Sequence, residues 1–580
     1  MARIVNFSMK PCTDFRAYVC QSQARGSSII TSMDEDAKRV VTTAAKSEGA
    51  TRGKAGQFLT AYFKSCLETV SRREHFFSDV AFGLLGAVKE LVSKPDTRNA
   101  MTFMLTVSLK YDLESWITAY ADTPYEIKPY EISPYEILLE VDLGCPLKSY
   151  SMEALDALNS ALQKMINVTA ATQEAVGIRN KLCSTRFPDL SSSFPSPYLL
   201  DDIVNKGVWG VQEVKAGLDM LGYSVTTVRV RNASAMRAIY NIFAAPARGT
   251  ADGLKAAYLM WRTVEKVLAL YLVSDRMSTV VVFKTCKDSL EEMWEIRDKL
   301  HEELYAQTEY QGMATSVFAA VKEAVYRDCR ASQLFQSEDP QRLENFRNIS
   351  LLLSLQDSAY SVPFPTPDQH FTAILLQGRA YSTEWRRKVY NTRGEVLEYE
   401  NLHYYIDQNL IYFTPNLYRY AFPHQSFSSD LLSMAVLGRE MAEGLWSIVL
   451  SDLKWGSKTA DNIRRLSYCF DVTVTSGNDS YEYVSQAGIR TAADALGLAS
   501  TLKTFNRPDW YNVKPAWSLW KLSHAQLFYI FSTFPRCLRD MTDANVVLKH
   551  LRDFAKAFRC SVNAPTRNGS SCIPSGIRTE

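Results

Sequence analysis

Apolar residues recur every three to four positions along most of the 580-residue chain, which is the period of helices that bury one face. The clearest of these segments predict helices at residues 81–92, 151–166, 253–273 and 316–331. Runs typical of strands are fewer, and they predict strands at residues 135–141, 224–230 and 404–413. The pattern therefore predicts a mainly α-helical chain with small β elements.

The composition is that of a globular protein and argues against two classes of partner. Apolar residues make up 46% and charged residues 22%, so the chain can bury a core. The 65 basic and 63 acidic residues leave a net charge of +2, without the basic excess of a nucleic-acid-binding protein. The longest apolar runs, such as residues 81–88, fall short of the ~18 residues that a membrane span needs. We expect neither a nucleic-acid partner nor a membrane span.

Eleven cysteines indicate an oxidising compartment, because disulfides persist outside the cell and are rare in the cytosol. No pair has Cys-x-x-Cys spacing, which argues against a zinc ribbon or a thioredoxin-like site. Two cysteines lie near the N-terminus and three near the C-terminus, so we expect bridges between the chain ends. The odd number implies a free thiol or an intermolecular bridge.

Six Asn-x-Ser/Thr sequons accompany the cysteines, at Asn6, Asn167, Asn232, Asn348, Asn478 and Asn568. Such sequons are acceptors for N-glycans in secreted proteins. Together with the cysteines they predict an extracellular glycoprotein, either secreted or a shed ectodomain.

Short motifs lie near the two chain ends, and a further one lies between them. Residues 11–20 read Pro-Cys-Thr-Asp-Phe-Arg-Ala-Tyr-Val-Cys, and residues 527–531 lead to Cys537. Residues 553–560 end in a cysteine, and one more cysteine follows at position 572. In between, residues 401–404, Asn-Leu-His-Tyr, resemble an Asn-Ala-x-Tyr edge strand. The order resembles the neprilysin and endothelin-converting enzyme family of zinc metallopeptidases over nearly the whole chain.

This resemblance implies a two-lobed, mainly helical ectodomain, in which a thermolysin-like catalytic lobe helps to enclose a central cavity. It implies an N-terminal peptidase region at residues 1–390 and a C-terminal peptidase region at residues 391–580. Within the first region we expect residues 1–60 to pack on the C-terminal lobe and residues 61–385 to form the large helical lobe.

The resemblance also implies a disulfide pattern. The implied pairs are Cys12–Cys560, Cys20–Cys537, Cys66–Cys286 and Cys469–Cys572. We add Cys145–Cys183 as a guess, which leaves Cys329 as the odd cysteine.

The residues that bind zinc in that family are replaced in this chain. The family's helix carries His-Glu-x-x-His, whose histidines grip one metal and whose glutamate activates water. Here Arg439 and Glu443 stand at the histidine positions, and Glu440 remains at the position of the base. Downstream, Arg490 replaces the third ligand, a glutamate, while the orienting Asp494 is kept. Because an arginine has no lone pair to offer a metal, we expect no cofactor, although the family binds zinc.

These replacements suggest that an ion-pair network stands where the metal would be. The positive charges of Arg439 and Arg490 would balance the negative charges of Glu440 and Glu443. Arg439 and Glu443 are four positions apart on one helix, a spacing at which side chains meet. The alternative is that the four charges are merely solvated.

The resemblance and the lost ligands together predict a catalytically inactive metallopeptidase homologue that binds small peptides or an extracellular protein. Asn401 is the residue expected to contact a peptide backbone, and Leu402 beside it replaces a small alanine. One alternative is an active zinc metalloendopeptidase that cleaves small extracellular peptides, as the family resemblance alone implies. Another is a structural protein without a ligand.

Overall fold

The computed structural model describes residues 5–20, 53–121, 136–145, 147–168, 172–187, 196–199, 211–223, 227–245, 251–271, 279–305, 308–338, 340–354, 362–363, 365–366, 369–393, 396–399, 402–414, 417–418, 427–451, 455–471, 486–507, 522–537, 544–561, 564, 572–574 and 577. Helices predominate in these residues, and the sheets are small, as the sequence predicts.

The α-helices follow one another along the whole chain. They are α1 Phe15–Cys20, α2 Gly53–Val70, α3 Arg73–Ser93, α4 Thr97–Tyr111, α5 Ser151–Ile166, α6 Thr172–Ser184, α7 Val211–Met220, α8 Ala233–Ala244, α9 Ala251–Tyr271, α10 Thr279–Asp288, α11 Trp294–Tyr305, α12 Thr308–Ala331, α13 Pro340–Arg347, α14 Phe371–Arg393, α15 Phe427–Leu432, α16 Arg439–Ser451, α17 Ser457–Phe470, α18 Gln486–Phe505, α19 His524–Thr533, α20 Ala544–Leu548 and α21 Arg552–Ala557. A π-helical segment, Ser433–Gly438, joins α15 to α16, and a 3₁₀ turn, Phe534–Arg536, follows α19. None of the described helices is both long enough and apolar enough to cross a membrane.

The strands form two four-stranded sheets. They are β1 Ile117–Ala121, β2 Glu136–Val141, β3 Ser196–Leu199, β4 Thr227–Arg231, β5 Ser350–Leu352, β6 Val396–Tyr399, β7 Leu402–Tyr405 and β8 Leu410–Phe413. The first sheet has the order β1-β2-β4-β3, and the second has the order β5-β8-β7-β6. Strands β2 and β4 are parallel, as are β5 and β8, and the other neighbours are antiparallel.

The strongest helix predictions match the structure, whereas one strand prediction is wrong. The segment at 151–166 is α5, and the segment at 253–273 lies over α9. The single strand predicted at 404–413 is instead two strands of a hairpin, β7 and β8. The chain turns between them at Asn409, whose φ of 51° is left-handed, a conformation that asparagine adopts more readily than most residues. Apolar residues alternate on both sides of the turn, so the sequence pattern does not reveal where β7 ends and β8 begins.

Contacts within the chain divide it into two units. One contains the described residues of 1–40, 301–357 and 393–580, and the other contains those of 41–300 and 358–392. This division differs from the predicted one, which placed residues 301–357 in the large helical lobe. The reason is packing, because α12 lies against α16 and α18, and β5 pairs with β8.

In the first of these units, the N-terminal helix packs on the last helices of the chain. The ring of Phe15 in α1 lies 4.9 Å from that of Phe554 and 5.1 Å from that of Phe558, measured between centroids. Tyr529 of α19 meets the Phe554 ring edge-on at 5.2 Å. Such aromatic pairs add to the stabilisation that comes from buried area alone. Two disulfides, Cys12–Cys560 and Cys20–Cys537, fasten the same contact covalently.

The disulfide pattern implied by the resemblance is confirmed. Besides the two bonds at the chain ends, the structure forms Cys66–Cys286 and Cys469–Cys572. The guessed pair Cys145–Cys183 is also present, and Cys329 is a buried free thiol. Five disulfides fit an oxidising compartment.

The described sequons differ in how accessible they are. Asn167 and Asn348 are exposed, and Asn6 is half-buried. Asn232 is buried, and its amide donates to the Val141 carbonyl at 3.4 Å. Glycosylation stays a prediction, and the folded chain offers Asn167 and Asn348 as the more accessible acceptors. Two sequons, Asn478 and Asn568, lie outside the described residues.

Helices α16 and α18 approach each other so closely that one position requires glycine. A Cβ added at Gly497 would lie 2.8 Å from the amide nitrogen of Glu443 and 3.0 Å from its Cα. Both are backbone atoms, so they cannot move aside as a flexible side chain would. The contact brings residues 439–443 of one helix opposite residues 494–497 of the other.

We expect Gly497→Ala to lower the free energy of unfolding by about 1–3 kcal/mol, because it overpacks a helix–helix contact. The matched control is Gly312→Ala in α12, where nothing lies within 4 Å of the added Cβ. That change should raise the free energy of unfolding by up to about 1 kcal/mol, through helix propensity. Denaturant unfolding with the disulfides intact measures both. Equal effects of the two changes would contradict the argument.

Candidate functional site: an arginine–carboxylate cluster

The candidate site lies where α16 begins. The π-helical segment before it is entirely buried, and its last residue, Gly438, leads directly into Arg439. A π-helical turn holds an extra residue relative to an α-helix and occurs often at functional sites. On the facing helix, α18, Asp494 points at the same place. The close approach at Gly497 fixes the distance between the two helices.

Arg439 is a buried cation with a full set of partners. Its side chain is 3% exposed, and its Nε donates to Asp494 Oδ1 at 3.0 Å. Its Nη2 donates to the same oxygen, and its Nη1 donates to the carbonyl of Ser532 at 2.6 Å. Asp494 is only 2% exposed. The two charges therefore satisfy each other inside the core, and α16, α18 and α19 are joined at one guanidinium.

A second arginine, Arg536, closes the cluster from the 3₁₀ turn after α19. Its Nε and Nη2 donate to Glu440 Oε1 at 3.0 and 2.9 Å. Its Nη2 also donates to Glu443 Oε2, and its Nη1 lies 3.0 Å from Asp494 Oδ1. All three guanidinium nitrogens thus face carboxylates. The next residue, Cys537, is bonded to Cys20, which anchors the turn that carries Arg536.

An ion-pair network lies at this place, but it is not the predicted quartet. Arg439, Glu440 and Glu443 come together, as their spacing along the helix suggested, and Asp494, which was not expected to take part, is a member as well. Arg490 does not join them: its side chain is exposed, and no described hydrogen bond or ion pair connects it to the cluster. Arg536 supplies the second guanidinium instead.

The prediction was also wrong about the partner of Arg439. Its hydrogen bonds go to Asp494 across the helix contact, not to Glu443 one turn along its own helix. Asp494 is 2% exposed and lies deeper than Glu443, which is 23% exposed, so the buried guanidinium of Arg439 pairs with the deeper carboxylate. A signal for Arg536 did exist in the sequence: it is a basic residue that directly precedes a cysteine at the end of the apolar segment 527–534.

The structure describes one of the two residues expected to contact a peptide. Asn401 lies outside the described residues, so its contact with a peptide backbone stays a prediction. Leu402 begins β7, which is not an edge strand, because it pairs with β8 on one side and with β6 on the other. Leu402 is 3% exposed, and a Cβ at Gly444 of α16 would overlap its Cδ2. The larger side chain therefore fills the space between the sheet and α16.

The electrostatics of the cluster are set by burial and by an excess of carboxylates. Two guanidinium groups face three carboxyl groups, which leaves one negative charge in excess when all are ionised. Burial raises the pKa of Glu443 to about 7; Arg536 opposes this, while Asp494 and Glu440 add to it. A proton on Glu443 therefore removes the excess charge near neutral pH.

The two arginines respond in opposite directions. Burial and the nearby Arg536 lower the pKa of the Arg439 guanidinium, and Asp494 counteracts them. Burial also acts to lower the pKa of Arg536, but the three carboxylates outweigh it and hold that pKa well above its usual value. Both remain cations under ordinary conditions.

The donor set at this place does not fit zinc. Zinc sites in proteins use histidine, cysteine and carboxylate ligands, and the residue facing Asp494 here is a guanidinium, which has no lone pair to donate. One oxygen of Glu440, Oε1, and one of Glu443, Oε2, already accept hydrogen bonds from Arg536. Within the described residues, no group of three or more His, Cys, Asp or Glu side chains is placed to hold a metal ion.

Arg439→Met should lower the free energy of unfolding by about 3 kcal/mol, because the buried Asp494 loses two hydrogen-bond donors and keeps only Arg536 as a cationic partner. Adding Asp494→Leu to that variant should restore part of the loss, since the pair is then removed together. The matched control, Arg490→Met, should change stability by no more than about 0.5 kcal/mol, as expected for an exposed side chain. Denaturant unfolding measures all three. A larger effect at position 490 than at 439 would restore the originally predicted network.

The raised pKa of Glu443 predicts a pH-dependent stability. The folded protein binds this proton more tightly than the unfolded chain, so the contribution of Glu443 to stability falls as pH rises from about 4.5 to about 7. Glu443→Gln should therefore match the wild type at pH 5 and exceed it at pH 8, by roughly 1–3 kcal/mol. The exposed Glu68→Gln serves as the control for loss of one charge. The measurement is the unfolding midpoint of each variant and of the wild type at both pH values. The prediction is refuted if the difference between Glu443→Gln and the wild type is the same at pH 5 and pH 8.

Comparison with known proteins gives matches only at the level of structure. No protein-family model matches the chain, and a search of the curated proteins finds no match to it.

Solved structures match the chain over its full length. The zinc metalloprotease Zmp1 of Mycobacterium tuberculosis, in its open state, has a TM-score of 0.59 and 12% identity, covering 99% of this chain and 100% of the other. PepO from Lactobacillus rhamnosis has a TM-score of 0.57 and 10% identity, covering 98% and 99%. The galactose-containing glycoprotein complex of Haemonchus has a TM-score of 0.55 and 13% identity, covering 97% and 96%. At such identities the likeness establishes the fold, so the motif resemblance is confirmed at that level: from end to end, the chain has the fold of the neprilysin-like zinc metalloproteases.

Proposed function

We propose that this protein is a non-catalytic relative of the neprilysin-like zinc metalloproteases, which acts outside the cell by binding a peptide or a protein. The observation that carries the proposal is the buried contact between Arg439 and Asp494. A cation of the protein itself stands at a position where the resemblance calls for a metal ligand, and its hydrogen bonds are satisfied.

The retained glutamate is not arranged to act as a base. A general base must be able to reach the water that it activates and to accept its proton. Glu440 Oε1 instead accepts two hydrogen bonds from Arg536, and the side chain is 11% exposed. A water at this oxygen would have to compete with two guanidinium donors that already occupy it.

A binding role is supported by the fold and the disulfides that the chain has in the absence of the metal ligands. The fold extends over the full length of its structural relatives, and five disulfides hold it together. A fold maintained at this size without its metal ligands is consistent with selection for binding. The disulfides and the two exposed sequons, Asn167 and Asn348, support an extracellular location.

An active metalloendopeptidase is the second candidate, favoured by the fold and by the presence of Glu440 and Asp494. It would need Arg536 to release Glu440 and a metal to bind beside Arg439. A structural protein without a ligand is the third. These candidates predict different amounts of bound metal, peptide cleavage and peptide binding.

The test uses the full chain, purified with its disulfides intact. We expect zinc near zero per chain by elemental analysis after incubation with ZnCl₂, and no cleavage of a peptide library by mass spectrometry. We expect saturable binding of small apolar peptides, or of a protein fraction from extracellular fluid, by calorimetry. Glu440→Gln is the control for cleavage, because any cleavage that this variant retains does not come from this site.

Stoichiometric zinc, together with cleavage that Glu440→Gln abolishes, would show an enzyme and overturn the proposal. Absence of zinc, cleavage and binding would favour the structural protein and overturn the binding role.

A further inference from the structure

We infer that Arg536 is the residue that closes this site to metal ions, so that restoring the three lost ligand positions does not by itself restore a zinc site. This inference goes beyond the absence of catalysis proposed above, because it identifies what prevents metal binding. It rests on the position of one guanidinium group among three carboxylates.

The first step of the argument is where Arg536 lies. Its Nε and Nη2 hold Glu440, its Nη2 also holds Glu443, and its Nη1 faces Asp494 at 3.0 Å. A point at which three carboxylates converge is one that favours a cation. Here the cation belongs to the chain, so Arg536 acts as a resident counter-ion.

The second step is that Arg536 is held from several directions. Its side chain is 15% exposed, and the turn that carries it contains Pro535 and ends at the disulfide between Cys537 and Cys20. On the opposite side, the carboxylates belong to α16 and α18, whose backbones are in contact at Gly497. Neither the arginine nor its partners can easily move away.

The third step is what remains when the ligand positions are restored. Arg439→His, Glu443→His and Arg490→Glu leave Glu440 and Asp494 unchanged. These two residues accept the hydrogen bonds of Arg536 Nε and Nη2 and the ion pair of its Nη1. The guanidinium therefore stays in place, and it repels a divalent cation at short range where the dielectric constant is low.

The test compares this triple variant with a quadruple variant that also carries Arg536→Met. We expect the quadruple variant to bind one Zn²⁺ per chain, at least about tenfold more tightly than the triple variant. The matched control adds Arg552→Met, an exposed arginine of α21, to the triple variant in place of Arg536→Met. It should bind zinc no better than the triple variant. Calorimetry with ZnCl₂ and elemental analysis after gel filtration are the measurements, and neither requires enzymatic activity.

Equal zinc affinity of the triple and quadruple variants would overturn the inference, and so would a folded quadruple variant that binds no zinc. If a multiple variant fails to fold, the pair Arg439→His and Arg439→His/Arg536→Met makes the same comparison with fewer changes. Addition of ZnCl₂ should raise the melting temperature of the double variant only, and no difference within the pair would refute the role of Arg536. Zinc bound by the wild type would refute the proposed function instead, so the two failures are distinguishable.

Discussion

The buried ion pair between Arg439 and Asp494 is the constraint on which the rest of the site depends. Each charge is almost completely removed from water, so each needs a partner of opposite sign inside the core. The pair fixes how α16 faces α18, and the contact at Gly497 sets how near they lie. Glu440 and Glu443 follow within one turn of the same helix. The pair therefore determines where the remaining carboxylates lie, and the guanidinium of Arg536 balances part of their negative charge.

A buried ion pair is not the most stable way to fill such a space, because apolar residues of similar volume often do as well or better. Here the pair lies between α16 and α18, at the position where the family resemblance places the zinc ligands. In a metallopeptidase of this fold, the charge is a metal ion facing carboxylates. In this chain, guanidinium groups take over the positive charge, and the excess carboxylate is balanced when Glu443 takes up a proton.

The sequence predicted most of what depends on local pattern, and less of what depends on distant contacts. The helical period located α5 and α9, and ordered motifs implied disulfides that the structure forms. The spacing along α16 correctly predicted that Arg439, Glu440 and Glu443 belong to one cluster. It could not find Arg536, which reaches the site from a different element. Arg490 was chosen instead because it occupies a ligand position in the resemblance, yet its side chain points to solvent. Likewise, β7 could not be recognised as an inner strand before its pairing with β6 was known.

Arg536 links the charged cluster to one of the disulfides. The Cys20–Cys537 bond joins residues that are 517 positions apart, and it fixes the end of the 3₁₀ turn next to Arg536. In the unfolded chain that separation makes the encounter of the two ends costly in entropy, and the covalent bond reduces this cost. The guanidinium that balances the carboxylates of α16 and α18 is therefore placed by a bond to the N-terminal helix. The turn that carries the counter-ion is thus also the turn that is bonded covalently to the N-terminal helix, so the disulfide limits how far Arg536 can move from the three carboxylates.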